Sequence, residues 1–126
     1  MEMNGKRTML VIDDQNGIRV FMQKTFTEMG FNVLLAENGR KGITLFTEAS
    51  PDIVLLDIKF PGGLDGIETL QELMTLNPRA KVIMMTSYED HYEECMALGA
   101  VDYLEKPFDL EDLKERVERY SAAGVE

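Results

Sequence analysis

The chain holds one cysteine, one histidine, four prolines and no tryptophan among its 126 residues. A single thiol, Cys95, excludes an internal disulfide framework and fits a reducing compartment, so a cytoplasmic protein is expected. Basic side chains are also scarce, 13 against 23 acidic ones, for a formal net charge of −10. That deficit argues against direct nucleic-acid binding, which needs clustered Lys and Arg, and against an anionic membrane surface. Long apolar runs are missing. The first, residues 9–12, is far too short for a secretory signal core or a membrane span. There is no low-complexity tract, basic block or fixed-period repeat. What is present is globular in kind, with 44% hydrophobic and 29% charged residues. The length suits one domain over residues 1–126 with its core over about 8–120. A chain of this size buries roughly two thirds of its unfolded surface.

Short apolar runs alternate with stretches of helical spacing. The runs lie at residues 8–12, 32–36, 53–56, 81–85 and 101–104. Most are continuous, the pattern of strands buried on both faces of a parallel sheet. Between them, Ile18, Phe21, Met22, Phe26 and Met29 share one helical face. Ile43, Phe46 and Ala49 mark a second helix, and Ile67, Leu70 and Met74 a third. Tyr92, Cys95 and Met96 outline a weaker fourth, and Leu110, Leu113, Val117 and Tyr120 a fifth. Gly30 and Gly99 stand where left-handed cap residues are wanted. Ser50-Pro51 and Asn77-Pro78 end helices two and three, and Asp109 suits the N-cap of helix five. Five β-α units predict an α/β fold. The expectation is a flavodoxin-like, doubly wound, five-stranded parallel sheet with strand order 2-1-3-4-5 and five helices.

In such sheets ligands bind beyond the carboxyl ends of the strands. Strand one ends in Asp13-Asp14, strand three in Asp57 and strand four in Thr86-Ser87, while Lys106-Pro107 follows strand five. Strand two offers only Glu37 and Asn38, off to one side. Three carboxylates on one rim repel one another unless a cation compensates them. Mg²⁺ fits, since it takes oxygen ligands, keeps several waters and binds one or two carboxylates together with a phosphate. Lys106 adds a point charge for a phosphate oxygen, and Thr86 a small donor. That set suits phosphoryl transfer. Asp57, on a central strand before the Gly-rich residues 60–66, is the expected nucleophile. Asp14 is the expected direct metal ligand, and Asp13 a ligand acting partly through water. Asp13-Asp14 also suits a cap on helix one, and Thr86-Ser87 a cap on helix four.

The set Asp13-Asp14, Asp57, Pro61, Asp65-Gly66, Thr86 and Lys106-Pro107 resembles the receiver domain of two-component response regulators, the CheY-like fold. The resemblance runs from about residue 8 to residue 120. Residues 11–19 and 52–59 are similar above all to the single-domain regulators of sporulation phosphorelays. The family implies that Asp57 accepts phosphate from a histidine on a sensor histidine kinase or histidine phosphotransfer protein. It implies Mg²⁺ on Asp14, Asp57 and the backbone carbonyl of Lys59, a cis peptide at Lys106-Pro107, and a switch pair of Thr86 and Tyr103. It places the docking surface for the histidine donor at Gln15, Gly17, Ile18, Phe21, Pro107 and Phe108. The signal would then pass to a downstream protein effector, from a stand-alone relay or a receiver cut from a longer regulator. Two differences from the usual pattern stand out, one extra residue among Gly62-Gly63-Leu64 and Ser87 where alanine is more frequent; against the sporulation regulators, the segment from Thr86 to Gly99 is about two residues shorter and Tyr103 stands in place of histidine.

Two other functions use related folds. An Mg²⁺-dependent small-molecule phosphohydrolase shares the aspartyl-phosphate chemistry, but the chain has no insertion to enclose a substrate. A flavodoxin needs a Gly, Ser and Thr cradle after strand one, where this chain is acidic. His91 reads as an exposed residue at the start of helix four, and Cys95 as a small core residue with no partner to lower its pKa.

Overall fold

The computed structural model describes residues 6–58, 65–86 and 91–121. Within them every apolar run of the sequence is a strand. β1 (Thr8–Ile12), β2 (Asn32–Ala36), β3 (Ile53–Asp57), β4 (Val82–Thr86) and β5 (Asp102–Glu105) form one parallel sheet in the order β2-β1-β3-β4-β5. Five helices lie between and after them: α1 (Asn16–Glu28), α2 (Gly39–Ala49), α3 (Gly66–Leu76), α4 (Tyr92–Leu98) and α5 (Leu110–Ser121). The predicted order and fold class hold. β4 and β5 begin one residue later than the apolar runs, and β3 extends to Asp57. Ladder pairing, not hydrophobicity, sets those ends: Asp57 pairs with Met85 and Thr86 with Glu105.

Side chains along a strand alternate between faces, and this divides the core in two. Leu10, Ile12, Val54, Leu56 and Met84 pack with Phe46 of α2, Leu70 and Leu73 of α3 and Cys95 of α4. Met9, Val11, Ile53, Leu55, Ile83 and Met85 pack with Met22 and Phe26 of α1 and Leu113 and Val117 of α5. β1, β3 and β4 are therefore buried on both faces, apart from half-buried Thr8. β2 and β5 are the sheet edges and are partly open, so the expectation of two-sided burial fails for them. A second correction concerns α1. Its buried residues are Met22, Thr25 and Phe26, at helical spacing, whereas Phe21 lies on the flank and is 47% exposed.

Local chemistry sets the helix ends. Asn38 accepts the Lys41 N–H to start α2, and Asp65 with Glu68 forms a capping box on α3. Asp109 accepts the Glu111 N–H before α5, as its position in the sequence suggests. Gly30 (φ 99°) and Gly99 (φ 115°) take the left-handed conformation after α1 and α4.

Cys95 is fully buried, and burial together with nearby Glu94 pushes its thiol up from 9.0 to about 11. A two-unit rise means about a hundredfold less thiolate at neutral pH. Labelling by a disulfide reagent is expected to be slow in native protein and fast in urea. Equal rates would contradict this placement.

Candidate functional site

The carboxyl ends of β1, β3 and β4 and the segment after β5 meet at one rim of the sheet. β1 runs directly into Asp13 and Asp14, β3 ends at Asp57, β4 ends at Thr86, and Lys106 follows β5. The order of the sheet places β3 between β1 and β4, so Asp57 sits at the centre. Carboxylate oxygens of Asp13, Asp14 and Asp57 all lie within 4.8 Å of one another. Lys106 Nζ is 3.2 Å from Asp13 Oδ2 and 3.9 Å from Asp57 Oδ1. Its own N–H donates to the Thr86 carbonyl at 2.7 Å, which ties the segment after β5 to the end of β4. The Lys106-Pro107 peptide is cis, as the resemblance implies.

The two buried carboxylates differ. Asp13 is fully buried and both of its oxygens are engaged, Oδ1 by the Gln15 N–H at 3.0 Å and Oδ2 by Lys106. It is a cluster member and not the helix cap: the N-cap of α1 is Gln15, which makes no side-chain cap hydrogen bond, and Asp13 only holds the turn that leads into it. Asp57 is 7% exposed, and burial is the main cause that pushes its carboxyl up to about 6. The Lys106 charge opposes the rise, as does the Ile58 backbone hydrogen bond, while Asp13 and Asp14 add to it. Three carboxylates against one ammonium leave an excess of negative charge at a corner where Asp13 and Asp57 are buried and Asp14 is open to solvent. An all-oxygen donor set with that excess fits a hard divalent cation such as Mg²⁺.

Thr86 is fully buried at the end of β4. Tyr103, in β5, is 9% exposed and meets the exposed Tyr92 ring edge-to-face, with centroids 5.5 Å apart. Lys59, Pro61, residues 62–64, Ser87 and Tyr88 lie outside the described residues. Glu37 and Asn38 are exposed beyond β2, away from the cluster, and Asn38 caps α2.

Beside the acidic cluster lies an apolar groove of about 370 Å³, lined by Ile18, Phe21 and Met22 of α1 with Lys106, Pro107 and Phe108. Four of the six residues assigned to donor docking are among these; Gln15 and Gly17 are exposed at the start of α1 but do not line it. Met22 is a groove residue that periodicity had assigned to the core alone. Sequence reasoning also missed two supports of the site. Gly66 donates its N–H to the Ile58 carbonyl at 2.6 Å, pinning α3 against the end of β3. Arg19 reaches back from α1 to the Asp13 carbonyl at 2.8 Å. The Asp-x-x-Glu spacing at Asp65 and Glu68 was a legible signal for the α3 cap, but no local pattern marks the Arg19 contact.

Residues 9–118 match the family model of the response regulator receiver domain. The chain is 38% identical over 113 residues to sporulation initiation phosphotransferase F of Bacillus subtilis, covering 88% of this chain and 90% of that protein. It is 39% identical over 112 residues to the regulatory protein AtoC of Escherichia coli, covering 87% of this chain but only 24% of AtoC. Among solved structures it resembles the response regulator TrrA of Thermotoga maritima in complex with Mg²⁺ and BeF. There the TM-score is 0.83 and the identity 32%, over 90% of this chain and 98% of that one. A CheY-like receiver domain protein of Methanospirillum hungatei superposes with a TM-score of 0.89 at 26% identity, over 94% and 95% of the two chains.

Proposed function

The chain belongs to the response regulator receiver domain family, and from that premise we propose that Asp57 is its phosphoacceptor. As a receiver domain of two-component or phosphorelay signalling, it is a signalling module and not a classical enzyme. The observation that carries the assignment of Asp57 is convergence. Three carboxylates lie within 4.8 Å of one another, and Lys106 spans Asp13 and Asp57.

In the proposed step an Asp57 carboxylate oxygen attacks the phosphorus of a phosphohistidine donor. The new P–O bond forms as the P–N bond breaks, and the imidazole leaves with the electron pair and takes up a proton. Lys106 is poised to follow the charge from the Asp13–Asp57 pair to a phosphoryl oxygen, and the Thr86 hydroxyl to donate to another. Asp14, Asp57 and the Lys59 carbonyl would hold Mg²⁺, with Asp13 acting through water, and the ion would neutralise charge on the carboxylates and the phosphoryl oxygens. The same groups would assist hydrolysis of the aspartyl phosphate, so the domain assists its own phosphorylation and dephosphorylation.

Thr86 and Tyr103 form the proposed switch. Moving a two-state equilibrium from 1:99 to 99:1 needs about 5.5 kcal/mol. Each hydrogen bond to a charged phosphoryl contributes about 1.5–3 kcal/mol. Contacts from Thr86 and Lys106 together only approach that shift, so phosphorylation moves a population between states instead of switching it completely. The output is a changed protein surface read by a downstream protein effector.

The groove between α1 and Phe108 is the proposed docking surface for the kinase or phosphotransfer protein, since an apolar patch beside the reacting group suits a transient partner. Phe21→Ala and Phe108→Ala are expected to slow phosphoryl transfer from a phosphorylated donor protein about tenfold. Phosphorylation by acetyl phosphate should stay unchanged. An equal loss with both donors would place these side chains in folding or chemistry instead of docking. A cytoplasmic location is part of the proposal. Among the described residues, no helix is long and apolar enough to cross a membrane.

The test of the whole reading is intact mass after incubation with Mg²⁺ and acetyl phosphate. One added phosphoryl group, lost in Asp57→Ala, is the expected result. Steady release of phosphate from small esters with no adduct would instead mark a phosphohydrolase.

A further inference from the structure

Every polar atom of the buried Asp13 is engaged, and each by a different part of the chain. Its N–H donates to the Ala36 carbonyl at 3.0 Å, Oδ1 accepts the Gln15 N–H at 3.0 Å, and Oδ2 accepts Lys106 Nζ at 3.2 Å. Its carbonyl accepts Arg19 Nη1 at 2.8 Å. Arg19 is a half-buried residue of α1 that folds back over the start of its own helix. There its Nη2 also reaches Asn16 Oδ1 at 3.3 Å. The carbonyl that Arg19 holds belongs to the peptide unit joining Asp13 to Asp14. Rotation of that unit swings the Asp14 side chain, whose oxygen lies within 4.8 Å of the Asp57 and Asp13 oxygens. Arg19 pairs with none of these carboxylates among the described residues; its contact with Asp13 is to the main chain.

We propose that Arg19 is a positioning residue for cation binding. By holding the Asp13–Asp14 peptide unit it keeps the Asp14 carboxylate aimed beside Asp57, so that both can ligate one ion without reorganisation. The inference rests on the assignment of Asp14 and Asp57 as Mg²⁺ ligands. Its sign sets it apart from an electrostatic role. A guanidinium near a cation site repels the cation, so charge alone predicts tighter Mg²⁺ binding when Arg19 is removed. Positioning predicts weaker binding.

Mg²⁺ titration by calorimetry on the full chain tests this, with wild type, Arg19→Ala and Arg19→Lys side by side, and thermal melts of each in EDTA and in saturating Mg²⁺. Arg19→Ala is expected to raise the Mg²⁺ Kd about tenfold, the lower end of what supporting hydrogen bonds contribute to metal affinity. Arg19→Lys keeps the charge but cannot hold both acceptors, so its Kd should fall between the two; if Arg19→Ala does not fold, this variant carries the test. In saturating Mg²⁺ the melting temperature of Arg19→Ala should fall further below wild type than it does in EDTA. A Kd within twofold of wild type, tighter binding in Arg19→Ala, or equal losses in EDTA and Mg²⁺ would each overturn the proposal. A wild-type chain that takes up no Mg²⁺ would instead remove the ligand assignment itself.

Discussion

Replacing Gly66 by alanine is expected to destabilise the protein by about 3 kcal/mol or more and to abolish most phosphorylation of Asp57. Gly66 is the first residue of α3 and lies against the end of β3. A Cβ there would press on the Asp57 carbonyl oxygen and the Ile58 Cα and sit 2.5 Å from the Ile58 oxygen. All three are main-chain atoms at or just past the end of β3, which carries the proposed phosphoacceptor, so no side-chain rotation relieves the contact. Relief requires α3 to lift away from the sheet or the end of β3 to shift. The first exposes the Leu70 and Leu73 core, and the second moves Asp57 relative to Asp13 and Lys106. A displacement near 1 Å at a reacting group costs about 10²-fold in rate. Two other glycines calibrate the effect. Gly17→Ala meets nothing within 4 Å and should be neutral or slightly stabilising. Gly42→Ala meets three carbons of the buried Ile12 side chain and no main-chain atom, so its loss should be intermediate. Urea unfolding should rank the three from most to least stable as Gly17→Ala, Gly42→Ala and Gly66→Ala, and acetyl phosphate labelling should fail only for Gly66→Ala. Wild-type stability in Gly66→Ala would show that α3 does not rest on the strand as described.

The second large effect is on pH dependence, and its sign is opposite to ordinary acid unfolding. In the folded, metal-free protein Asp57 is pushed up from 3.8 to about 6, chiefly by burial. The folded state therefore holds a proton that the unfolded chain releases between about pH 4 and pH 6. Asp57 adds no penalty below the unfolded value, and stability declines as pH rises through 6. A shift of this size corresponds to about 3 kcal/mol, fully lost above pH 7. Asp57→Asn removes the ionisation while keeping the shape. In EDTA it is expected to be more stable than wild type by up to about 3 kcal/mol at pH 7.5 and nearly equal to it at pH 4. For a chain this size that is about 10 °C in melting temperature. Saturating Mg²⁺ should stabilise wild type at pH 7.5 and narrow the gap. A variant no more stable than wild type at pH 7.5 would mean that Asp57 is not desolvated as the structure shows.

Both effects come from a site whose members were legible in the sequence but whose supports were not. Asp13, Asp14, Asp57, Thr86 and Lys106 each stand where an apolar run ends, so the rule that ligands bind at strand carboxyl ends picks them out. Phe21 shows where that kind of reasoning fails. A residue three positions from Ile18 fits an apolar helical face by periodicity, yet in α1 it falls on the flank, where it lines a groove instead of the core. Gly66 shows a different failure. Its role is a close main-chain approach between α3 and β3, and nothing in the letters around it says how near the strand passes.

The amino-acid pattern by itself determined the parallel sheet, its order, several helix ends and the chemical identity of the rim, but not the starts of α1 and α4, whose N-caps are Gln15 and His91 instead of Asp13-Asp14 and Thr86-Ser87. Those depend on burial and capping, which act over a few residues and leave continuous apolar runs for the central strands and a period of about three and a half for the helices. Only the tertiary structure decided how the rim is wired. Lys106 meets Asp13 across 93 positions of sequence, Asp13 divides its oxygens between that ammonium and the start of α1, and Arg19 fixes the peptide between the two neighbouring carboxylates. Contacts of that span depend on how the layers pack, and a packing distance leaves no periodic trace in the order of the residues.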